Sequence, residues 1–234
     1  MVLAVVVGAA VVAGALIVAS AQTGGSNGKS TATSARTTPA GPKTAKADAL
    51  LEGIRQRGLV LGSPKAPVTL VEFADLQCPY CAVAARESLP TVIREYVRSG
   101  SVRIVFEGLA FVGDDSETAL RAVLAAGLQN HAWDMIESLY LRQGAENSGW
   151  VTAALLKEVA AEVPGLDADR MLSEVKASAV DKQLAASERT ARSANVRGTP
   201  SFFVGRTNGP LEPVDVSSFT AGALRPALDE ALAP

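Results

Sequence analysis

The stretch VEFADLQCPYC, residues 71–81, holds the only two cysteines of a 234-residue chain. It runs from an apolar, β-branched segment straight into Cys-Pro-Tyr-Cys, a pattern that predicts a strand turning into a helix. Pro79 then falls at the first helical position, where a missing N–H costs nothing and the fixed φ is already helical. Cys78 stands at or next to the N-cap, with its thiol aimed at unpaired backbone N–H groups. Those donors and the positive end of the helix dipole favour the thiolate, the nucleophilic form, and lower a cysteine pKa from its free value of about 8.5. Cys81 lies one turn on, close enough to close a disulfide with Cys78. Cys78 is therefore expected as the exposed attacking sulfur and Cys81 as the more buried resolving one.

Three other readings compete for the pair. A structural disulfide here would close a very small loop and restrict the unfolded chain little. A zinc site needs about four ligands, and His131 is the only histidine with no third cysteine to help it. Two unrelated buried thiols would leave the proline between them at a strand-to-helix junction unexplained. Redox chemistry accounts for all of these features, and no metal is expected.

Outward from the motif, the chain alternates between two periods. APVTLVEFAD (residues 66–75), SVRIVFE (101–107) and SFFVG (201–205) read as strands, and Pro79 to Ser99 and most of Asp114 to Asn195 read as helix. Leu120, Val123, Leu124 and Leu128 recur at helical spacing, as do Trp133, Ile136, Leu139 and Tyr140, so both stripes are expected to face a core. Asp167 can cap a helix carrying Met171, Leu172 and Val175. The chain closes with a predicted helix over residues 217–233. Strand, helix, strand, long helical block, strand and terminal helix specify an α/β domain with a large helical insertion.

At these residues the sequence resembles the thioredoxin superfamily, and within it the DsbA-like extracytoplasmic thiol:disulfide oxidoreductases. The resemblance spans about residues 58–232 and rests on LGSPKAPVTLVEFADLQCPYC and, far downstream, VRGTPSFFVG. It implies a thioredoxin-like fold over residues 51–234, with a helical insertion at about 114–195 and no cofactor beyond the redox-active Cys78–Cys81 pair. It also implies a cis peptide at Thr199–Pro200 packed against the motif, beside an edge where an extended peptide docks. Glu72, six residues before Cys78, matches an acid that lies behind the motif and helps deprotonate the buried cysteine. A glutamate on a strand can equally face solvent, and Asp75 reads as a loop or capping residue. Tyr80 stands where strongly oxidising members carry histidine, so the resemblance implies a less stabilised thiolate and a weaker oxidant. The partners it implies are unfolded or reduced secreted proteins and a quinone-linked membrane re-oxidant.

Composition limits the other possibilities. With 48% hydrophobic and 20% charged residues and a net charge of −2, the chain is ordinary globular material with no basic excess to recruit nucleic acid. Residues 1–21 carry no charged side chain, and about 20 apolar residues span a hydrocarbon core of roughly 30 Å. That length favours a retained anchor, although Ala19-Ser20-Ala21 also suits signal cleavage. Lys29, Arg36, Lys43 and Lys46 follow the segment and none precedes it, which runs against an extracytoplasmic body by the positive-inside rule. Residues 22–50 are rich in Gly, Ser, Thr, Pro and Lys and are expected to form a disordered tether reaching about 25 to 30 Å. The expected protein is a membrane-tethered, extracytoplasmic oxidoreductase working as an oxidase. Reductase or isomerase activity, or a non-catalytic peptide-binding module of the same fold, are the alternatives.

Overall fold

The computed structural model describes residues 49–234. Six strands form one sheet: β1 (Gln56–Arg57), β2 (Val60–Leu61), β3 (Val68–Ala74), β4 (Val102–Gly108), β5 (Ser201–Arg206) and β6 (Glu212–Val214), in the order β1-β2-β4-β3-β5-β6. β3 and β4 run parallel, and every other pairing is antiparallel. The β3 sequence VTLVEFA is buried along its whole length, as an unbroken apolar run in a central strand requires when both faces are covered. Because side chains alternate across a strand, Leu70, Glu72 and Ala74 share one face, while Val71 and Phe73 share the other. The first face joins the large core, with Ile104, Phe106, Phe202 and Val204. The second packs with Leu109 and Ala191 in a smaller cluster, where the Phe73 and Phe203 rings meet edge to face at 5.4 Å.

The helices are α1 (Pro79–Glu87), α2 (Leu89–Val92), α3 (Asp114–Gly127), α4 (Ala132–Leu141), α5 (Ala153–Glu162), α6 (Ala168–Glu174), α7 (Ser178–Ser193) and α8 (Arg225–Leu232). Five of them, α3 to α7, lie between β4 and β5, where the helical insertion is expected. Asp167 is the N-cap of α6 and accepts from the Arg170 N–H at 2.9 Å.

Three expectations need correction. The helix predicted over Pro79–Ser99 divides at Ser88 into α1, α2 and a π-helical turn at Ile93–Val97, because Pro90 has no N–H to continue the ladder. The predicted terminal helix starts only at Arg225, since Pro226 is tolerated in a first turn and not in an interior. Leu128, expected in the core stripe, is 43% exposed. It is the C-cap of α3, where the chain turns away through Asn130 at φ 65°.

The expected membrane segment at residues 1–21 and most of the tether lie outside the described residues. Among the described residues, no helix is long and apolar enough to cross a membrane.

Candidate active site

The loop between β3 and α1 is held in shape by Asp75. Its Oδ1 accepts from Gln77 N at 2.8 Å, and its Oδ2 accepts from Phe111 N at 2.7 Å and Val112 N at 2.9 Å. A buried carboxylate that gathers three backbone donors is a structural clamp, which is the loop role its position suggested. The helical insertion grips the same loop. Gln143 Nε2 donates to Leu76 O at 2.8 Å and Cys78 O at 3.1 Å, and Gln77 Nε2 donates to Ser116 Oγ at 3.0 Å. Gln77 Oε1 in turn accepts from the Asn147 N–H at 2.6 Å.

Out of this loop Cys78 emerges as the N-cap of α1, in extended conformation at φ −66°, ψ 120°, with Pro79 in the first turn. Both cysteines are free thiols. Cys78 is less open than its place at a helix start suggested, at 7% exposure against 0% for Cys81. The order of accessibility nevertheless runs as expected. Cys78 Sγ lies 3.3 Å from Thr199 O, so the turn entering β5, which carries the cis Thr199–Pro200 peptide, lies directly against that sulfur.

Electrostatics separate the two thiols. The Cys78 pKa is lowered to about 6, first by the Cys81 thiol donating to it, then by the backbone of Cys81, the Thr199 side chain and the backbone of Tyr80. These donors together outweigh the partial burial of the sulfur. Cys81 moves the other way, raised by burial and then by its bond to Cys78. In the reduced protein at neutral pH, then, Cys78 is a thiolate and Cys81 a thiol.

Behind the pair stands Glu72, fully buried on the core face of β3; the solvent-facing alternative is excluded. Neither carboxyl oxygen has a hydrogen-bond partner among the described residues. Burial first, and the charge of Glu137 second, push its pKa up to about 8. An acid in that state carries a proton at neutral pH and can release it, and its field reaches Cys81.

At the surface Tyr80 is 65% exposed, its ring tilted against Phe219 at 6.4 Å, and Phe111 is 54% exposed. A cavity of about 490 Å³ opens beside Pro200, lined in part by Asn195, Arg197, Phe203, Pro213 and Val216. Sequence reasoning gave Gln77 no role although it adjoins Cys78, and it missed Gln143, Asn147 and Glu137, because no spacing pattern links those three to the motif. Among the described residues no cluster of His, Cys, Asp and Glu has the makings of a metal site.

The thiolate assignment yields a direct measurement. Ultraviolet thiolate absorbance of the reduced protein should titrate with a midpoint near pH 6. In Cys81→Ala the midpoint should rise, because the largest stabilising donor is gone. A wild-type midpoint at or above about 8.5 would remove Cys78 as the nucleophile.

Residues 55–220 match the family model described as Thioredoxin. The chain is 29% identical over 175 residues to the probable disulfide bond formation protein D of Bacillus anthracis, which covers 74% of this chain and 77% of that one. The fold is similar to oxidised BdbD from Bacillus subtilis, with a TM-score of 0.65 and 24% identity, covering 76% of this chain and 97% of that one. It is also similar to a thioredoxin-like oxidoreductase from Silicibacter pomeroyi DSS-3, with a TM-score of 0.59 and 29% identity, covering 79% and 96%.

Proposed function

Because this chain belongs to the thioredoxin family, which its residues 55–220 match, we propose that it is a DsbA-type protein-disulfide oxidoreductase that oxidises thiols of secreted proteins. The observation that carries the reading is the Cys78 thiol at a helix N-cap, its pKa lowered to about 6, with Cys81 behind it and the cis Thr199–Pro200 turn before it.

In the oxidised protein a substrate thiolate attacks Cys78 Sγ, breaks the Cys78–Cys81 bond and forms a mixed disulfide with Cys78. A second substrate thiolate displaces Cys78, leaving the substrate with a disulfide and the enzyme with two thiols. A stabilised Cys78 thiolate is a good leaving group, so the second step runs in the oxidising direction. The cavity beside Pro200, whose preceding residue Thr199 meets Cys78, supports docking of an extended substrate segment there. The likeness to a probable disulfide bond formation protein agrees with this direction. The uncharged stretch at residues 1–21 supports a membrane tether, and with it an extracytoplasmic site and a membrane re-oxidant that renews the disulfide.

Equilibration of the protein with glutathione tests the direction. The wild-type potential should lie between those of thioredoxin, about −270 mV, and DsbA, about −120 mV, and the oxidised protein should speed the oxidative refolding of a reduced substrate. A potential at the thioredoxin value would make the protein a reductase. Tyr80 sets part of this poise. In Tyr80→His a partly protonated imidazole beside the motif favours the thiolate and stabilises the reduced form. The potential should rise on the order of 20 to 45 mV, equivalent to about 1 to 2 kcal/mol for two electrons. An unchanged potential would show that position 80 does not tune the couple.

A further inference from the structure

Glu72 is not the only buried acid behind the motif. In the sheet its direct neighbours are Phe106 on β4 and Phe202 on β5, so all three side chains point to the same face. Phe106 meets Trp133 of α4 edge to face at 6.2 Å. Two turns along the same helix, Tyr140 Oη donates to Asp75 O at 3.3 Å, at the end of β3. Glu137 lies between these two anchors, four residues after Trp133 and three before Tyr140, on the helix face that covers Glu72. It is buried, and its Oε1 makes no hydrogen bond among the described residues. One turn back is Asp134, whose Oδ2 lies 2.9 Å from His131 Nδ1 and accepts from Gln56 Nε2 at 2.9 Å. The side chains of His131 and Asp134 are 24% and 14% exposed. His131, Asp134 and Glu137 thus form a row along α4 from the surface inward, and the charge of Glu137 reaches Glu72 as that of Glu72 reaches Cys81.

Taking thiol–disulfide exchange at Cys78 as the reaction, on which this assignment rests, we propose that Glu137 is a positioning residue whose charge sets the pH at which Glu72 gives up its proton, with Asp134 and His131 on the solvent side of the same helix. When a substrate thiolate attacks Cys78, the electron pair of the broken S–S bond leaves on Cys81. Glu72 supplies the proton that neutralises that sulfur. Glu72 is then re-protonated from solvent, and the charge of Glu137 sets how readily it holds that proton. The two substrate thiols lose two electrons to the two enzyme sulfurs, and one solvent proton ends on Cys81. In re-oxidation Glu72 takes that proton back, so that Cys81 can attack.

The electrostatics agree with the geometry. Glu137 is pushed up to about 8, first by burial and then by Asp134, just as Glu72 is raised by burial and then by Glu137. The other ionisable groups facing the row are Cys78, Asp75 and Tyr140, together with Arg86 of α1, which donates to Tyr140 O at 3.4 Å. Two neighbouring acids in one apolar site cannot both ionise readily, so each holds the other in the protonated form near neutrality.

The test is the pH profile of mixed-disulfide resolution in the full-length protein, followed by stopped-flow with a small disulfide. In Glu137→Gln the carboxylate that repels the Glu72 charge is absent, so the Glu72-dependent midpoint should move acidward by about one pH unit. Glu137→Asp should return it towards the wild type. A profile that overlays the wild type while Glu72→Gln shifts it overturns the role of Glu137. Should Glu137→Gln fail to fold, infrared difference spectra of the wild type decide instead. Reduction should perturb bands of two protonated carboxyl groups, and the absence of any such change overturns the proposal. If the wild type forms no mixed disulfide at Cys78, the oxidoreductase reading itself falls, which is a separate outcome.

Discussion

Replacing Cys78 with Ser should reduce thiol–disulfide exchange to the uncatalysed background, in both insulin reduction and oxidative refolding, while the fold stays intact. Cys78 is the only cysteine held as a thiolate at neutral pH, since Cys81 is raised by burial and by its bond to Cys78. A serine hydroxyl at the same N-cap keeps the helix start and cannot form the mixed disulfide. Cys81→Ser should behave differently. It keeps the nucleophile but has no resolving sulfur, so it should accumulate a stable mixed disulfide with substrate, visible as a mass increase that a reductant reverses. A Cys78→Ser protein that still exchanges disulfides, or a Cys81→Ser protein that forms no mixed disulfide at Cys78, would refute the order of attack. The residual exposure of Cys78, 7% against 0% for Cys81, predicts the same order for alkylation of the reduced protein.

Glu72→Gln should make the protein more stable relative to the wild type as pH rises, and a poorer catalyst. The Glu72 pKa is raised from 4.5 to about 8 in the folded state, so across that window the folded protein keeps a proton that the unfolded chain has released. Unfolding therefore releases a proton, and wild-type stability falls as pH rises from about 4.5 towards 8, by up to about 1.4 kcal/mol per pH unit. Glutamine does not titrate. Burial of its amide without partners costs about 1 to 3 kcal/mol at every pH, so the variant can begin less stable at pH 5. The stability difference between variant and wild type should then grow in favour of the variant by several kcal/mol up to pH 8. Denaturant titrations at intervals of pH measure that slope, and a constant difference would show that Glu72 is not held protonated. The catalytic loss comes from the missing proton carrier for Cys81, on the order of 10²-fold for general acid–base assistance. Exchange rates unchanged between pH 6 and 8 would reduce Glu72 to a buried strand residue.

Local chemistry was legible in the chain. The start of α1 at Cys78 and Pro79, the apolar run of β3, the cap at Asp167 and the five helices between β4 and β5 each depend on residues a few positions apart. Periodicity, a proline at a first turn and a capping carboxylate act over a single turn or strand, so the order of residues carries them directly. Boundaries were less legible where competing local signals met. Pro90 and Pro226 are both compatible with helix in a first turn only, and they divided or shortened helices that apolar spacing had extended.

What only tertiary structure decided is the environment of the two thiols. The Thr199 carbonyl that meets Cys78 comes from 121 residues away, and the Tyr140 hydroxyl that anchors α4 to the end of β3 comes from 65 residues away. Glu72 read as a strand glutamate with two possible faces until the sheet placed it between Phe106 and Phe202, under α4. Glu137, beside the apolar stripe of the same helix, carried no signal in the sequence for the same reason. Burial and electrostatic coupling are properties of distance through space, and desolvation is the largest cause of the raised pKa of both acids. Residue order specifies which groups can ionise. Only the packing of α4 against the sheet buries two of them together, where the proton of one depends on the charge of the other.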